Sequence, residues 1–207
     1  MHVTVLTMDQ RSSRSRADAV PGLLESLAPE RLPHPPLLAF ERTVGDEVQG
    51  VLDDAGSGVA VLALALRAGA WNIGLGFGEV EQPLPASTRA GRGEAYVRAR
   101  EAVTRAKSAP HRLMVVGPGG DDRCEWLETV LGLWAGILER RTERGWEVHD
   151  LMQQGLSHAE AGRRLGISQS AVSQRVAAAA LVDEDRARAL AEGLWADLLG
   201  EREGGAR

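Results

Sequence analysis

The sequence predicts an α+β protein, an α/β sandwich followed by an all-α C-terminal unit, and three observations carry that expectation. Short segments rich in β-branched or alternating residues all fall before Gly117. Segments with helical spacing of apolar residues lie between them. After Gly117-Pro118-Gly119-Gly120-Asp121-Asp122, a turn-rich break suited to a domain boundary, the pattern is helical throughout. The expected organisation is a sandwich over residues 1–118, a connecting helix over 119–142 and a helical domain over 143–207.

Val3 to Met8 is β-branched and predicts the first strand. A polar, arginine-rich turn (Asp9 to Arg16) leads to a helix from about Ala17 to Leu27. Pro29, Pro33, Pro35 and Pro36 exclude a helix next and imply an extended loop. Leu37 to Thr43 and Val48 to Leu52 predict a hairpin turning at Gly45-Asp46-Glu47. Ala55 to Ala68 is almost wholly apolar, so a helix there is buried against a sheet. Trp71 to Val80 alternates and carries Gly74, Gly76 and Gly78, which predicts a strand that other backbone approaches closely. An arginine-rich helix (Gly93 to Ser108) and a strand (Arg112 to Val116) complete a mainly antiparallel sheet with helices expected on one face. Beyond the break, Trp126, Val130, Leu133 and Ile137 share one helix face, widened by Leu127, Leu131, Trp134 and Leu138. That helix serves as an internal core or as a dimer surface, and Trp126 and Trp134 are expected in the core. A last helix, Ala187 to Leu199, leads into the tail Gly200 to Arg207, which is expected to fray.

Composition narrows the classes. In 207 residues, 43% are apolar and 26% charged, the balance of a globular protein. A formal net charge of -5 supplies no global attraction to nucleic acid, so any such contact needs a local basic patch. The single cysteine, Cys124, excludes an internal disulfide and a cysteine zinc site, and reads as a packed thiol. The start lacks a signal-peptide pattern, and the apolar run Val59 to Leu66 is too short for a bilayer. A cytoplasmic protein with no membrane association is expected.

The segment Gly155 to Val176 carries the clearest motif. Ser157 with Glu160 forms a capping box, Gly162 is small where two helices cross, and Gly166 suits the left-handed turn between them. Ile167 plugs the core, Ser168 caps a second helix, and Val172 and Val176 face inward. This is the spacing of a helix-turn-helix. Outward on the second helix stand Gln169, Ser170, Ser173 and Gln174, side chains that hydrogen-bond to base edges. Arg163, Arg164, Arg175 and the Ser168 terminus are candidates for phosphate contact. From Leu151 to Val182 three arginines against one acid leave a local charge of +2. A helical hairpin used for packing or protein contact is the alternative reading. Asp183, Glu184 and Asp185 follow directly and are expected to cap the final helix.

In the N-terminal part, Asp9 ends one strand, and Asp46 with Glu47 occupies the hairpin turn. If those strands pair, Asp9 and Asp46 can share a divalent ion such as Mg²⁺ with nucleotide phosphates. Ser13 and Arg14 stand where a helix N-terminus and a guanidinium meet phosphate. The other reading of Gly45-Asp46 is a turn favoured on conformational grounds alone.

Asp9 to Arg14, Gly45 to Gly50 (GDEVQG), Gly93 to Val103 (GEAYVRAREAV) and the C-terminal helical pair together resemble the SatD family of bacterial proteins. The element order is also similar to the ferredoxin-like, palm-like catalytic domain of nucleotide cyclases. That resemblance implies Asp9 and Asp46 as metal ligands for a nucleoside triphosphate. In cyclases an Asn and an Arg on a late helix serve the transition state; Ala95 to Arg100 has Arg98 and Arg100 but no Asn, and Ser12 stands where the first loop carries glycine. The reading therefore leans from enzyme to regulator: a double-stranded-DNA-binding homodimer with a sensing or dimerising N-terminal domain. A metal-dependent nucleotide-processing enzyme is the alternative. Gly74 to Val80 lacks the spacing of a nucleotide loop, the histidines lack metal-ligand spacing, and Arg98, Arg100 and Arg105 read as a solvated face paired with Glu94 and Glu101.

Overall fold

The computed structural model describes residues 1–201. Their elements run β1 (His2–Gln10), α1 (Val20–Ser26), β2 (Leu38–Arg42), β3 (Glu47–Leu52), α2 (Ala55–Ala68), β4 (Trp71–Glu79), α3 (Glu94–Ala106) and β5 (Leu113–Val116). Five helices follow: α4 (Asp122–Glu139), α5 (Glu143–Gln153), α6 (His158–Leu165), α7 (Gln169–Ala178) and α8 (Leu181–Leu199). The sheet order is β2-β3-β1-β4-β5. The pairs β2–β3, β3–β1 and β1–β4 are antiparallel, while β4 and β5 run parallel. Among the described residues no helix is long and apolar enough to cross a membrane.

Helices cover both faces of the sheet, which corrects the expectation of one. On the first face Leu6, Met8, Ile73, Leu75 and Phe77 pack with α1, α2, α4 and α8. On the second, Val3, Val5 and Val51 meet Ala95 and Ala99 of α3. The glycines of β4 are the physical reason. A Cβ on Gly74 would lie 2.2 Å from the backbone N of Val103, and one on Gly76 2.2 Å from that of Ala99. The backbone of α3 thus rests directly on the strand, as the glycine alternation predicts. Arg100 and Arg105 of α3 face outward from a buried stripe of Ala95, Ala99, Ala102 and Ala106, while Arg98 is largely covered beside β4.

The first helix begins at Val20, not Ala17. Gln10 clamps the approach: its Nε2 donates to Ala17 O (2.7 Å) and its Oε1 accepts from Ala19 N (2.9 Å). Pro21 then stands in the first turn, where a missing N–H costs no helical bond.

At the other end of the chain, α8 returns to the sheet. Trp195 is fully buried, its Nε1 donates to Thr4 Oγ1 (2.8 Å), and its ring meets Phe77 edge-on. A Cβ on Gly58 of α2 would come within 2.5 Å of the indole. Helices α4 and α8 therefore share the core of the sheet, and the break at Gly117 ends the sheet but not its core. Only α5 to α7 form a separate small core, built on Val148, Leu151, Ala161 and Val172. Gly200 ends α8 in a left-handed turn (φ 79°). The expected fraying beyond Glu201 lies outside the described residues.

Helix α4 buries Leu127, Leu131, Trp134 and Leu138. The companion stripe stays outside: Trp126 is 56% and Leu133 67% exposed, with Val130 and Ile137 half-buried. Trp134 is core as expected; Trp126 is not, because it lies on the helix face turned from the sheet.

Gly76→Ala tests the α3 contact. Overpacking backbone against backbone is expected to cost about 3 kcal/mol or more. Gly22→Ala, at a helical position with nothing within 4 Å of the new Cβ, should be neutral or slightly stabilising. Thermal melts of both variants decide; equal stability would remove the close-approach account.

Candidate functional site

The α6–α7 pair is built by local chemistry. Ser157 Oγ accepts from Glu160 N (3.3 Å), and Glu160 Oε2 accepts from Ser157 N (2.8 Å), closing the capping box. Hydrogen bonds from the Ser157 hydroxyl and then its N–H hold the Glu160 carboxyl below its ordinary pKa. Gly166 sits at φ 67°, ψ 30°, the left-handed turn the sequence predicts. Gly162 is buried beneath the turn, where a Cβ would lie 2.8 Å from Ile167 O. Ser168 Oγ caps α7 by accepting from Ala171 N (3.1 Å). Val172 is fully buried in the small core and Val176 packs against it.

That anchoring leaves the opposite face of α7 open. Ser168, Gln169, Ser170, Ser173 and Gln174 are all exposed. Ser173 Oγ and His158 Nδ1 are hydrogen-bonded (2.9 Å), which joins the faces of α6 and α7. Arg163 and Arg164 are exposed on α6. Arg175 differs from them: its Nη1 pairs with Glu147 of α5 (3.3 Å), so part of its charge is already matched within the unit.

The unit is tied to the body by groups distant in sequence. Arg141 follows α4, and its guanidinium donates to Glu184 Oε2 (2.6 Å) and to Ala179 O (3.2 Å from Nε, 2.9 Å from Nη2). Both side chains of this ion pair are buried, at 0% and 4% exposure. Arg67 of α2 makes two bonds to Asp150 of α5 (2.6 and 2.7 Å). Trp146 lies beneath both guanidiniums, 4.4 Å from Arg67 and 4.5 Å from Arg141, and His149 packs edge-on against it. His149 Nδ1 is 3.1 Å from Asp150 and its Nε2 3.6 Å from Glu184. Nothing in the local sequence marks Arg67, Arg141, Trp146 or Asp150, because the joint closes over 38 to 83 residues of chain.

The acidic residues of the sheet are arranged differently from the expected pair. Asp9 stands directly opposite Glu47, and Gln10 N donates to Asp46 O (3.2 Å). Asp46 itself lies in the turn before β3, one residue ahead of the one paired with Asp9. Asp9 Oδ2 accepts from Asn72 Nδ2 (3.1 Å) and pairs with Lys107 Nζ (3.2 Å). Lys107, the residue after α3, thus supplies a cation beside the Asp9 carboxylate. Among the described residues no group of three or more His, Cys, Asp or Glu side chains is placed to hold a metal. Ser13 and Arg14 are exposed in the turn before α1, well short of its N-terminus at Val20. The helix N-terminus expected beside them is absent because Gln10 holds Ala17 to Ala19 out of the helix.

Cys124 is buried, and burial first, then Asp121, pushes its thiol up to about 11. The expected pairs Arg98–Glu94 and Arg105–Glu101 are present (2.5 and 3.1 Å), and Arg98 also donates to Phe77 O (2.8 Å). No protein-family model, curated protein or solved structure matches the chain.

The joint is acid-sensitive. The Arg67 hydrogen bonds hold the Asp150 carboxyl below its ordinary value of 3.8. A lowered folded pKa gives stability that is fully present above 3.8 and fades as pH falls through the folded value. Asp150→Asn should cost at most about 1 kcal/mol near neutrality, since the pair is partly exposed. That difference should vanish in denaturant melts taken well below pH 3.8.

Proposed function

We propose that this chain is a sequence-reading regulator that binds double-stranded DNA, with α6 and α7 as its helix-turn-helix. One observation carries the reading. Gln169, Ser170, Ser173 and Gln174 stand exposed on one face of α7, while Val172 and Val176 lock the other into the small core. Short amide and hydroxyl side chains on a rigid, protruding helix match what base edges in a major groove require. Arg163 and Arg164 flank that face as phosphate contacts. The resemblance to the SatD family points the same way. Strand order β2-β3-β1-β4, with α1 and α2 on one face, agrees with a ferredoxin-like, palm-like domain. In this reading that domain is a scaffold and sensor, and the protein works in the cytoplasm. Lys107 beside Asp9 favours the regulator over a metal-dependent nucleotide enzyme.

A single module of this size reads few base pairs, and such modules bind paired half-sites as dimers. On α4 the exposed Trp126 and Leu133, with the half-buried Val130 and Ile137 between and beside them, supply an apolar face for a second copy.

Duplexes selected from random sequence test the reading by fluorescence anisotropy across salt concentrations. Gln169→Ala with Gln174→Ala should reduce preference for the selected sequence by about 1–3 kcal/mol per lost base contact. Arg163→Ala or Arg164→Ala should weaken binding to every sequence and lower the salt slope by about one. Parent-like binding by both classes would remove α7 as the reader.

Leu133→Asp tests the dimer. Light scattering should register a monomer, and affinity should fall for paired half-sites but not for one half-site. An unchanged mass would place the second copy elsewhere.

A further inference from the structure

Beside the open face of α7 stands an imidazole, the side-chain type that gains or loses a proton between about pH 5 and pH 8. His158 opens α6, and its Nδ1 lies 2.9 Å from Ser173 Oγ. Ser173 is exposed, among the residues that the DNA reading directs to base edges, and His158 is half-buried at its side. Among the described residues this is the single hydrogen bond that either side chain makes.

The bond fixes what Ser173 can offer. A hydroxyl has one proton and two lone pairs, while neutral imidazole has one N–H and one bare nitrogen. Among the described residues the Ser173 proton has no acceptor but Nδ1. In the neutral pair O–H therefore donates to Nδ1, the ring keeps its proton on Nε2, and Ser173 faces outward with lone pairs alone. Protonation reverses the bond. An imidazolium has no bare nitrogen, so Nδ1–H donates to Oγ and the hydroxyl proton is released to an outside acceptor. One proton taken up by the ring gives Ser173 a donor it lacked.

No carboxylate among the described residues is engaged with the ring. Glu160, the one acid of α6, accepts from Ser157 N and Oγ (2.8 and 2.6 Å). Arg163 and Arg164 of the same helix are exposed. On α7 the one charge is Arg175, paired with Glu147 of α5 (3.3 Å). Helix α5 also packs against α6; there Asp150 is paired with Arg67 and His149, and Glu143 and Arg144 are exposed. A proton gained or lost at His158 therefore acts through Ser173.

We infer that His158 sets, through the Ser173 hydroxyl, which base edge α7 accepts, and that this choice changes with pH. The inference rests on the DNA reading above and adds its regulation. With the ring neutral, Ser173 suits the N4 amino group of cytosine; with the ring protonated, it also suits N7 and O6 of guanine. His158 is thus a positioning residue for the hydroxyl.

Anisotropy titrations of the full chain test the inference at about pH 5 and about pH 8, on either side of the histidine range. The duplexes are one selected at the higher pH and versions of it with each C·G pair reversed in turn. At one position the parent should favour cytosine by about five-fold at the higher pH and lose or invert that preference at the lower. His158→Gln should keep binding and hold one preference at both values, and Ser173→Ala should show no preference there at either. Glu160 stays ionised across this range, its carboxyl being held below the ordinary value, so the capping box survives the lower pH. A second readout needs no DNA: nitrogen NMR of the free protein at the higher pH should show Nδ1 of His158 as the bare nitrogen. A proton on Nδ1 in the neutral ring overturns the inference. So does a rise in affinity at the lower pH that is equal for every sequence, which reports added charge only, and so does a preference that still changes with pH in His158→Gln; each leaves the DNA reading intact. No duplex bound at either pH overturns both.

Discussion

The buried ion pair between Arg141 and Glu184 is the constraint on which the placement of the helical unit depends. Arg141 stands where the chain leaves α4, and Glu184 in the first turn of α8, where it returns. Both flanking helices belong to the core of the sheet, so α5 to α7 form an excursion whose two ends are joined by one hydrogen-bonded charge pair. Such a pair adds little over an apolar contact of equal volume, but losing one partner strands a buried charge at about 3–5 kcal/mol. It therefore acts mainly to select one geometry. Ala179 O, bonded to the same guanidinium, ties the chain just beyond α7 into that geometry.

The sheet gives the neck something rigid to stand on. Its two faces use opposite strategies on the same strand. Trp71, Ile73, Leu75 and Phe77 fill one side of β4 with volume, while Gly74 and Gly76 empty the other so that the backbone of α3 can lie on it. Trp195 then locks α8 against β1, α2 and β4 at once. With α8 fixed by an indole at one end and Glu184 at the other, the excursion cannot swing without opening the main core.

How far the sequence discloses this depends on the range of each interaction. Caps and turns are short-range, so Ser157, Glu160, Gly166 and Ser168 announce their roles, and the structure places all four in them. The glycines of β4 announce a close approach but not its partner, because the alanine stripe of α3 is masked by the arginines between. The face of the sheet that α3 covers was illegible for that reason. The stripe of α4 was legible as apolar, yet periodicity cannot say which of two adjacent apolar faces meets the core; Leu131 does and Leu133 does not. The Lys107 that pairs with Asp9 arrives just after α3, 98 residues later, and no local pattern announces it. The joint of Arg67, Arg141, Trp146 and Asp150 left no local trace at all.

The charge balance around α7 follows from the same neck. A net charge of -5 disfavours DNA globally, and the acids Asp183, Glu184 and Asp185 lie a few residues beyond α7. Glu184 is withdrawn from solvent and cancelled by Arg141, so its charge does not reach the surface. Asp183 shares the first turn of α8 with it, where the helix dipole stabilises a carboxylate. Charges beyond about 8–10 Å are screened at physiological salt, so the local surface governs contact with phosphate. The neck that orients α7 therefore also keeps one of the three acids that follow it from the surface. By burying Glu184 against Arg141, the joint that holds α7 in place withdraws one acid and one base together, so the surface around α7 is set by the charges that remain in solvent.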